Sequence, residues 1–600
     1  MRSAGVRAAT AIVVALTMTT VSQVLTPAVA HAAASDCITV DMQVSPEKVD
    51  LLKDLAKRFN GSDRANLDGQ CISVRVNQKS SGEAASLLAD DWPNPKANGP
   101  RPVVWSPASS AWGQVVNQRR ADAGKKAIAP PGTPLQLTPL VIAMPKPMAE
   151  ALGYPDTPLG YADILRLAND PAGWGAFGHP EWGPFRLGKT NPNFSTSALN
   201  ATVAQYYAAS GKTSGLTIED LNRPDVDAFA RSIESSVVHY GDTTLTFLNN
   251  LYRADQRGTG LTYVSAVAVE EKSVIDYNKG NPDGILDPGE HPKPPRVPLV
   301  AIYPKEGTLF SDSPFIVVDA PWVNAKEKRA AAKFQQFVEQ PSNQRRVLKF
   351  GFRPGNPKVA IGGPIDPKYG VDPNQPQTLL ELPSPPVLVG LIDRWGQNRK
   401  SARVLMVVDV SGSMGDPASG EGGPTKLDLA KKAAVDALGQ FKPEDQVGLW
   451  IFSTGISPTE PTDYVELVPI GPIGAQRETI AAKINDLVPT QGTPLYTVTQ
   501  AADDKLVQTF DAARINAALL LTDGKNEDDR NQDLEGLLRT LRSRNEGQVA
   551  NPVRIFPIAY GQDADLPTLK RIAEATNATV YDASDPKSIG KVFLAVVSNF

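Results

Sequence analysis

Histidine and cysteine are scarce in this chain, which carries four of the former and two of the latter in 600 residues. The histidines are His31, His179, His239 and His291, so nothing beyond residue 291 offers an imidazole as general base or metal ligand. A basic excess is missing too. Lys and Arg number 61 against 65 Asp and Glu, a net charge of −4, which removes the electrostatic footprint of a nucleic-acid binder. After the first 32 residues no apolar run approaches membrane-spanning length. Neither an internal repeat nor a low-complexity tract is visible. Apolar residues at 41% and charged residues at 21% are ordinary for globular protein, and the length calls for more than one core.

The N-terminus reads as a targeting segment. Arg2 and Arg7 flank a start that leads into the apolar stretch Ala8 to Leu16, and Ala28-Val-Ala30-His-Ala32 offers small-x-small cleavage sites. Residues 1–32 are therefore expected to be a secretory signal peptide, outside the fold. Without an Arg-Arg pair the general secretory route is expected. The alternative is an uncleaved anchor, for which the apolar run is short. Membrane association would then come only through a retained signal anchor or a partner, and the mature chain is expected to be secreted and cell-surface associated.

In an exported protein an even cysteine count suggests a disulfide. Cys37 and Cys71 each open an alternating strand, with a helical stretch from Glu47 to Phe59 between them. A βαβ unit makes its strands parallel neighbours with matching starts, which would allow a Cys37–Cys71 bridge. The rival is a lipidated Cys37, but Asp36 stands where a lipidation signal has a small residue.

The most informative stretch is Val404-Leu-Met-Val-Val-Asp409-Val-Ser411-Gly-Ser413, a continuous apolar strand ending in Asp-x-Ser-x-Ser. Its oxygens stand at the carboxyl end of a strand, where open parallel sheets bind ligands. With no nitrogen or sulfur ligand nearby, they point to magnesium, with manganese or calcium as alternatives. Alone, the motif also fits a turn capping a helix. Two later segments extend it: Gln491-Gly-Thr493-Pro-Leu495 on a loop, and Leu519-Leu-Leu-Thr522-Asp523-Gly524, a second buried strand ending in Asp-Gly. In this order the segments resemble the metal-ion-dependent adhesion site of the von Willebrand factor A family, over residues 401–600. The resemblance implies that Asp409, Ser411, Ser413, Thr493 and Asp523 hold the ion and that a protein partner's carboxylate completes its shell. No general base stands beside the motif, and Ser411-Gly-Ser413 is not the Gly-x-Ser-x-Gly elbow of hydrolases, so no catalytic residue is assigned. Strands are expected near 403–409, 446–452, 463–468, 516–522, 553–559 and 578–582. Helices are expected near 426–440, 475–487, 495–509, 533–544, 566–576 and 586–598. This alternation means a mostly parallel, doubly covered sheet, with a hairpin edge at 446–468. The loop 415–424, with Asp416 and Glu421, follows the motif and could shape partner choice or be a plain connector.

Residues 37–355 repeat another pattern, strand, polar turn and helix start: Gln78-Lys-Ser80-Ser81-Gly82, Trp105-Ser106-Pro, and Lys189-Thr190-Asn191-Pro-Asn193-Phe-Ser195. Hydroxyls and amides at helix starts bind anions, though the same residues serve as ordinary caps. The pattern resembles the two-lobed extracellular solute-binding proteins of the type 2 periplasmic fold. That likeness implies a cleft faced by Ser80, Ser81, Ser106, Thr190, Asn191 and Ser195, with a small-molecule ligand. Trp105, Trp112 and Tyr263 are candidates for its lining or for core. Lys279 to Glu290 imitates a calcium loop, but Lys279 stands where a carboxylate is needed, so a surface loop is expected.

Between the two regions, residues 356–400 form a Pro-rich linker, expected to be extended and stiff. It ends in a short helix with Leu388, Leu391 and Trp395 on one face. The fold expected is α/β throughout: a two-lobed periplasmic-binding-like domain, then a doubly wound, Rossmann-like von Willebrand factor A domain. The function expected is recognition of a protein partner through the metal, with a receptor for small-molecule uptake or sensing as the alternative.

Overall fold

The computed structural model describes residues 37–600 apart from 242, 286–290, 419–421, 458–461 and 546–551. The segment 1–32 read as a signal peptide lies outside the described residues, as do Asp287, Glu290 and Glu421.

The first lobe grows from the βαβ unit. In the strand Ile38–Val44 alternate residues Ile38, Val40 and Met42 are buried, and its parallel partner Gln70–Gln78 sets Ile72 opposite Ile38. Cys37 and Cys71 therefore meet, and a disulfide joins them at a Cα separation of 4.6 Å. The helix Val49–Asn60 covers this pair with Leu51, Leu52, Leu55 and Phe59. Phe59 packs 5.3 Å from Phe334 of the helix Ala325–Val338, so the chain returns to this lobe after building the second.

The second lobe is a mixed sheet in the order Leu299–Ile302, Gln136–Pro145, Ala266–Glu270, Leu187–Thr190 and Val237–Gly241. Between the lobes Gly82 N donates to Phe194 O at 3.1 Å. A Cβ at Gly82 would stand 1.9 Å from Asn193 O, so only glycine allows this approach.

The Pro-rich segment, expected to be extended and stiff, instead runs through several turns and a 3-10 helix at Pro367–Tyr369, and it is not a free spacer. Ile365 and Val371 are buried against the second lobe. Gly370 O accepts from Ala301 N at 2.8 Å, and Thr308 N and Leu380 N bond Thr378 O and Thr308 O at 3.2 and 2.9 Å. Ile365 and Val371 are seated while Ile361 and Leu379 stay exposed, and the Gly370 and Thr378 carbonyls find donors. The helix Pro385–Asn398 then buries Leu388, Leu391 and Trp395. It packs on Ala111–Asp122 of the first lobe and on Thr196–Ser210, Ile218–Leu221 and Pro224–Ser235 of the second.

The last region is a six-stranded sheet in the order Tyr464–Pro472, Gln446–Phe452, Ala402–Asp409, Ile515–Thr522, Arg554–Tyr560 and Tyr581–Ala583. All pairs are parallel except the first. The two central strands are buried almost end to end, as a sheet covered on both faces demands. Its C-terminal segment rests on the second lobe: Tyr240 N donates to Asn599 O at 3.2 Å and Asn191 Nδ2 to Ser598 O at 3.1 Å.

Candidate metal centre and interlobe cleft

The strand Ala402–Asp409 delivers Asp409 to the sheet's carboxyl edge with no exposure. Ser411 N donates to Asp409 Oδ1 at 2.7 Å and Thr522 Oγ1 to Asp409 Oδ2 at 2.6 Å. The Ser411 and Ser413 hydroxyls lie 3.1 Å apart, and Ser413 Oγ donates to Asp523 Oδ1 at 2.8 Å. Four of the five expected ligands thus form one connected polar cluster. Thr493, buried, is placed by its loop: Gly412 N donates to Gln491 O and Thr490 N to Val410 O, both at 2.7 Å. A Cβ on Gly524, the residue after Asp523, would come within 2.8 Å of Thr493 Oγ1, so the fifth residue abuts the same turn.

Burial and the neighbouring Asp523 carboxylate push the Asp409 carboxyl up to about 7. Lys426 supplies the balancing charge, its Nζ donating to Asp523 Oδ2 at 2.8 Å. The donors are neutral hydroxyls and two carboxylates, hard oxygens that suit magnesium, manganese or calcium. Among the described residues no group of three or more His, Cys, Asp and Glu side chains could hold a metal; this cluster differs in leaning on hydroxyls. Sequence reasoning missed Thr522 and Lys426. Thr522 was within the quoted motif and adjacent to Asp523. Lys426 carries no spacing signal, since a lysine at a helix start normally reads as solvated.

Between the lobes lies a cavity of about 40 Å³. Ser80, Ser81 and Ser195 line it; Ser80 and Ser81 also do cap and turn work, accepting from Glu83 N at 3.3 Å and Ala108 N at 3.0 Å. Ser106, Thr190 and Asn191 are not in its lining. Ser106 is fully buried in its strand with its Oγ unpartnered. Thr190 Oγ1 pairs with Ser197 Oγ at 3.2 Å, and Asn191 is drawn away to Ser598. Trp105, Trp112 and Tyr263 are core: Trp112 Nε1 donates to Thr196 Oγ1 at 2.8 Å, and Tyr263 OH bonds His239 Nε2 at 3.0 Å. What the sequence did not reveal is acid in the cavity wall, Glu47 and Glu270. Burial, with Glu47's charge adding, pushes the Glu270 carboxyl up to about 7. In the calcium-like segment Asp283 Oδ2 accepts from Asn249 Nδ2 at 2.8 Å, a local role.

The family model for bacterial extracellular solute-binding proteins matches residues 40–353. The chain belongs to this family. A second model, the von Willebrand factor type A domain, matches residues 404–595, and the last region has that domain's Rossmann-like fold. An uncharacterized protein of Mycobacterium tuberculosis strain H37Rv is 23% identical over 563 residues, covering 92% of this chain and 75% of its own. Among solved structures, a von Willebrand factor type A protein from Catenulispora acidiphila is 22% identical with a TM-score of 0.27; the match covers 33% of this chain and spans only 42% of that one. The sulfate-binding protein SubI from M. tuberculosis H37Rv is 16% identical with a TM-score of 0.34, covering 54% and 89%. The periplasmic binding protein AfuA from Actinobacillus pleuropneumoniae is 13% identical with a TM-score of 0.40, covering 61% and 99%. The solute-binding module and the A domain together mark a binding protein. Among the described residues no helix is long and apolar enough to cross a membrane.

Proposed function

We propose that this is an exported, cell-surface binding protein whose A domain takes a carboxylate of a protein partner at a metal-ion-dependent adhesion site, and that it is not an enzyme. The observation that carries this reading is the polar cluster of Asp409, Ser411, Ser413 and Asp523 at the sheet's carboxyl edge. Magnesium held there would supply an electron-poor centre that attracts an anionic oxygen. Ser411, Ser413 and Thr493 contribute neutral donors, so the charge of Asp409 and Asp523 is not supplemented and a partner's carboxylate stays welcome. The test is capture from cell-surface extract by the mature chain in magnesium, in EDTA, and with Asp409→Ala. A partner retained by wild type in magnesium alone is expected; equal capture in every lane would sink the reading.

The second reading, a small-molecule receptor, rests on the solute-binding family match; the interlobe cavity, only about 40 Å³, has hydroxyls with Glu47 and Glu270 in its wall. That wall suits a small neutral or cationic solute better than an inorganic anion. Calorimetry with sugars, amines and oxyanions separates these, and a tight solute would shift the primary function to the first module.

A further inference from the structure

A larger cavity opens where both lobes, the linker helix and the A domain meet. Its volume is about 650 Å³, within the roughly 300–1,000 Å³ of small-molecule sites, which favour domain interfaces. Part of its lining is apolar: Phe194 of the second lobe, Trp395 of the linker helix, and Phe441, Leu594 and Phe600 of the A domain. Phe441 and Phe600 stack with centroids 6.3 Å apart. Leu594 is left 38% exposed, while its helix neighbours Phe593, Val596 and Val597 are buried.

Four cations and the Glu83 carboxylate also line the cavity, and three of the cations already have partners. Arg399 pairs with buried Asp445. Lys442 Nζ donates to Arg399 O at 2.6 Å. Lys591 stands 3.4 Å from Glu83. Arg119, on the helix Ala111–Asp122, differs. Its guanidinium makes no hydrogen bond or ion pair with any described residue. Burial disfavours its charge, and Asp393 offsets this only through space. A half-buried guanidinium carries five donors, and here none is taken up by an acceptor on a described residue.

We propose that this interdomain cavity binds an amphipathic anion, its carboxylate or phosphate held by Arg119 and its apolar body laid on Phe441, Leu594 and Phe600. Arg119 matches either head group, because its planar fork bonds both bidentately. The lining comes from both modules and the linker, so occupancy would also hold them together.

The test is calorimetric titration of the mature full chain with octanoate, octyl phosphate and octanol. At least one anion is expected to bind at a single site, with octanol at least about tenfold weaker. Whichever anion binds more tightly identifies the head group. Arg119→Ala should lose about tenfold or more of that affinity, and Arg119→Lys should recover part. Leu594→Glu, at an exposed position, should abolish binding while the melting temperature stays near wild type; it carries the test if Arg119→Ala misfolds. The proposal is overturned if octanol binds as well as the anions, if Arg119→Ala folds and binds as wild type, if Leu594→Glu folds and still binds, or if wild type takes up neither anion saturably.

Discussion

Lys426 Nζ lies 2.8 Å from Asp523 Oδ2 inside the candidate metal centre, and both groups are buried. The ammonium occupies the electrostatic role that a divalent cation would otherwise fill, so the two compete for the same carboxylate. Lys426→Met keeps the aliphatic stem and removes the charge. Magnesium affinity should rise about tenfold, equivalent to about 1.4 kcal/mol. Without metal the variant should lose about 3–5 kcal/mol of stability, because Asp523 is left buried and unpaired, and magnesium should restore much of it. Titration calorimetry and melts with and without magnesium read both effects. Unchanged or weaker magnesium binding would make Lys426 a purely structural partner.

Glu270 gives the cleft a pH signature. Its carboxyl rises from an ordinary 4.5 to about 7, through burial first, then Glu47, with Lys272 and Ser311 opposing. The buried Lys48 ammonium nearby, lowered to about 8 by burial, also feels Glu47 and Glu270. A raised acid binds its proton more tightly when folded than unfolded. Its contribution is therefore fully present below about pH 4.5 and lost as pH climbs through about 7. Glu270→Gln stays neutral across that window. It should match wild type near pH 4.5 and exceed it at pH 8 by roughly 2–3 kcal/mol. Urea midpoints across this range check the sign, and parallel curves for the two proteins would refute it.

Much of the A domain was legible because its strands are long apolar runs that end in turn chemistry. The strand expected near 516–522 is Ile515–Thr522. The last strand, expected from 578, begins only at Tyr581, because Asn577 adopts φ 53° and Ala578 N closes a turn onto Ala573 O. The residues of the candidate metal centre were legible because three short segments carry them all. The cleft was not. A serine at a helix start has the same sequence signature whether it caps, faces a ligand, or does both, as Ser80 does. Asn191 looked like a cleft residue, but its partner Ser598 is 407 positions away. Nor does proline density reveal that a linker is seated along a lobe, since that depends on which surface offers donors to its carbonyls.

The linker helix is where both lobes and the A domain are tied, and Trp395 tests how firmly. Its Nε1 donates to Glu234 Oε2 at 3.2 Å, and Tyr240 OH donates to the same oxygen at 2.6 Å. Lys189 Nζ holds the other oxygen of that buried carboxylate. Tyr240 OH in turn accepts from Lys400 N at 3.0 Å, at the entrance to the A domain. The Trp395 ring packs edge-on to Tyr240 at 5.1 Å. Trp395→Ala should cost about 3–5 kcal/mol by the cavity it leaves, whereas Trp395→Phe, which keeps an aromatic ring but drops the N–H, should cost less. The decisive readout is hydrogen exchange. Because the linker helix packs on Ala111–Asp122 of one lobe and Pro224–Ser235 of the other, Trp395→Ala should speed exchange in both together. Faster exchange confined to the linker helix would mean that the lobes are closed by their own contacts, Gly82 against Phe194 among them, and that the helix merely lies on them.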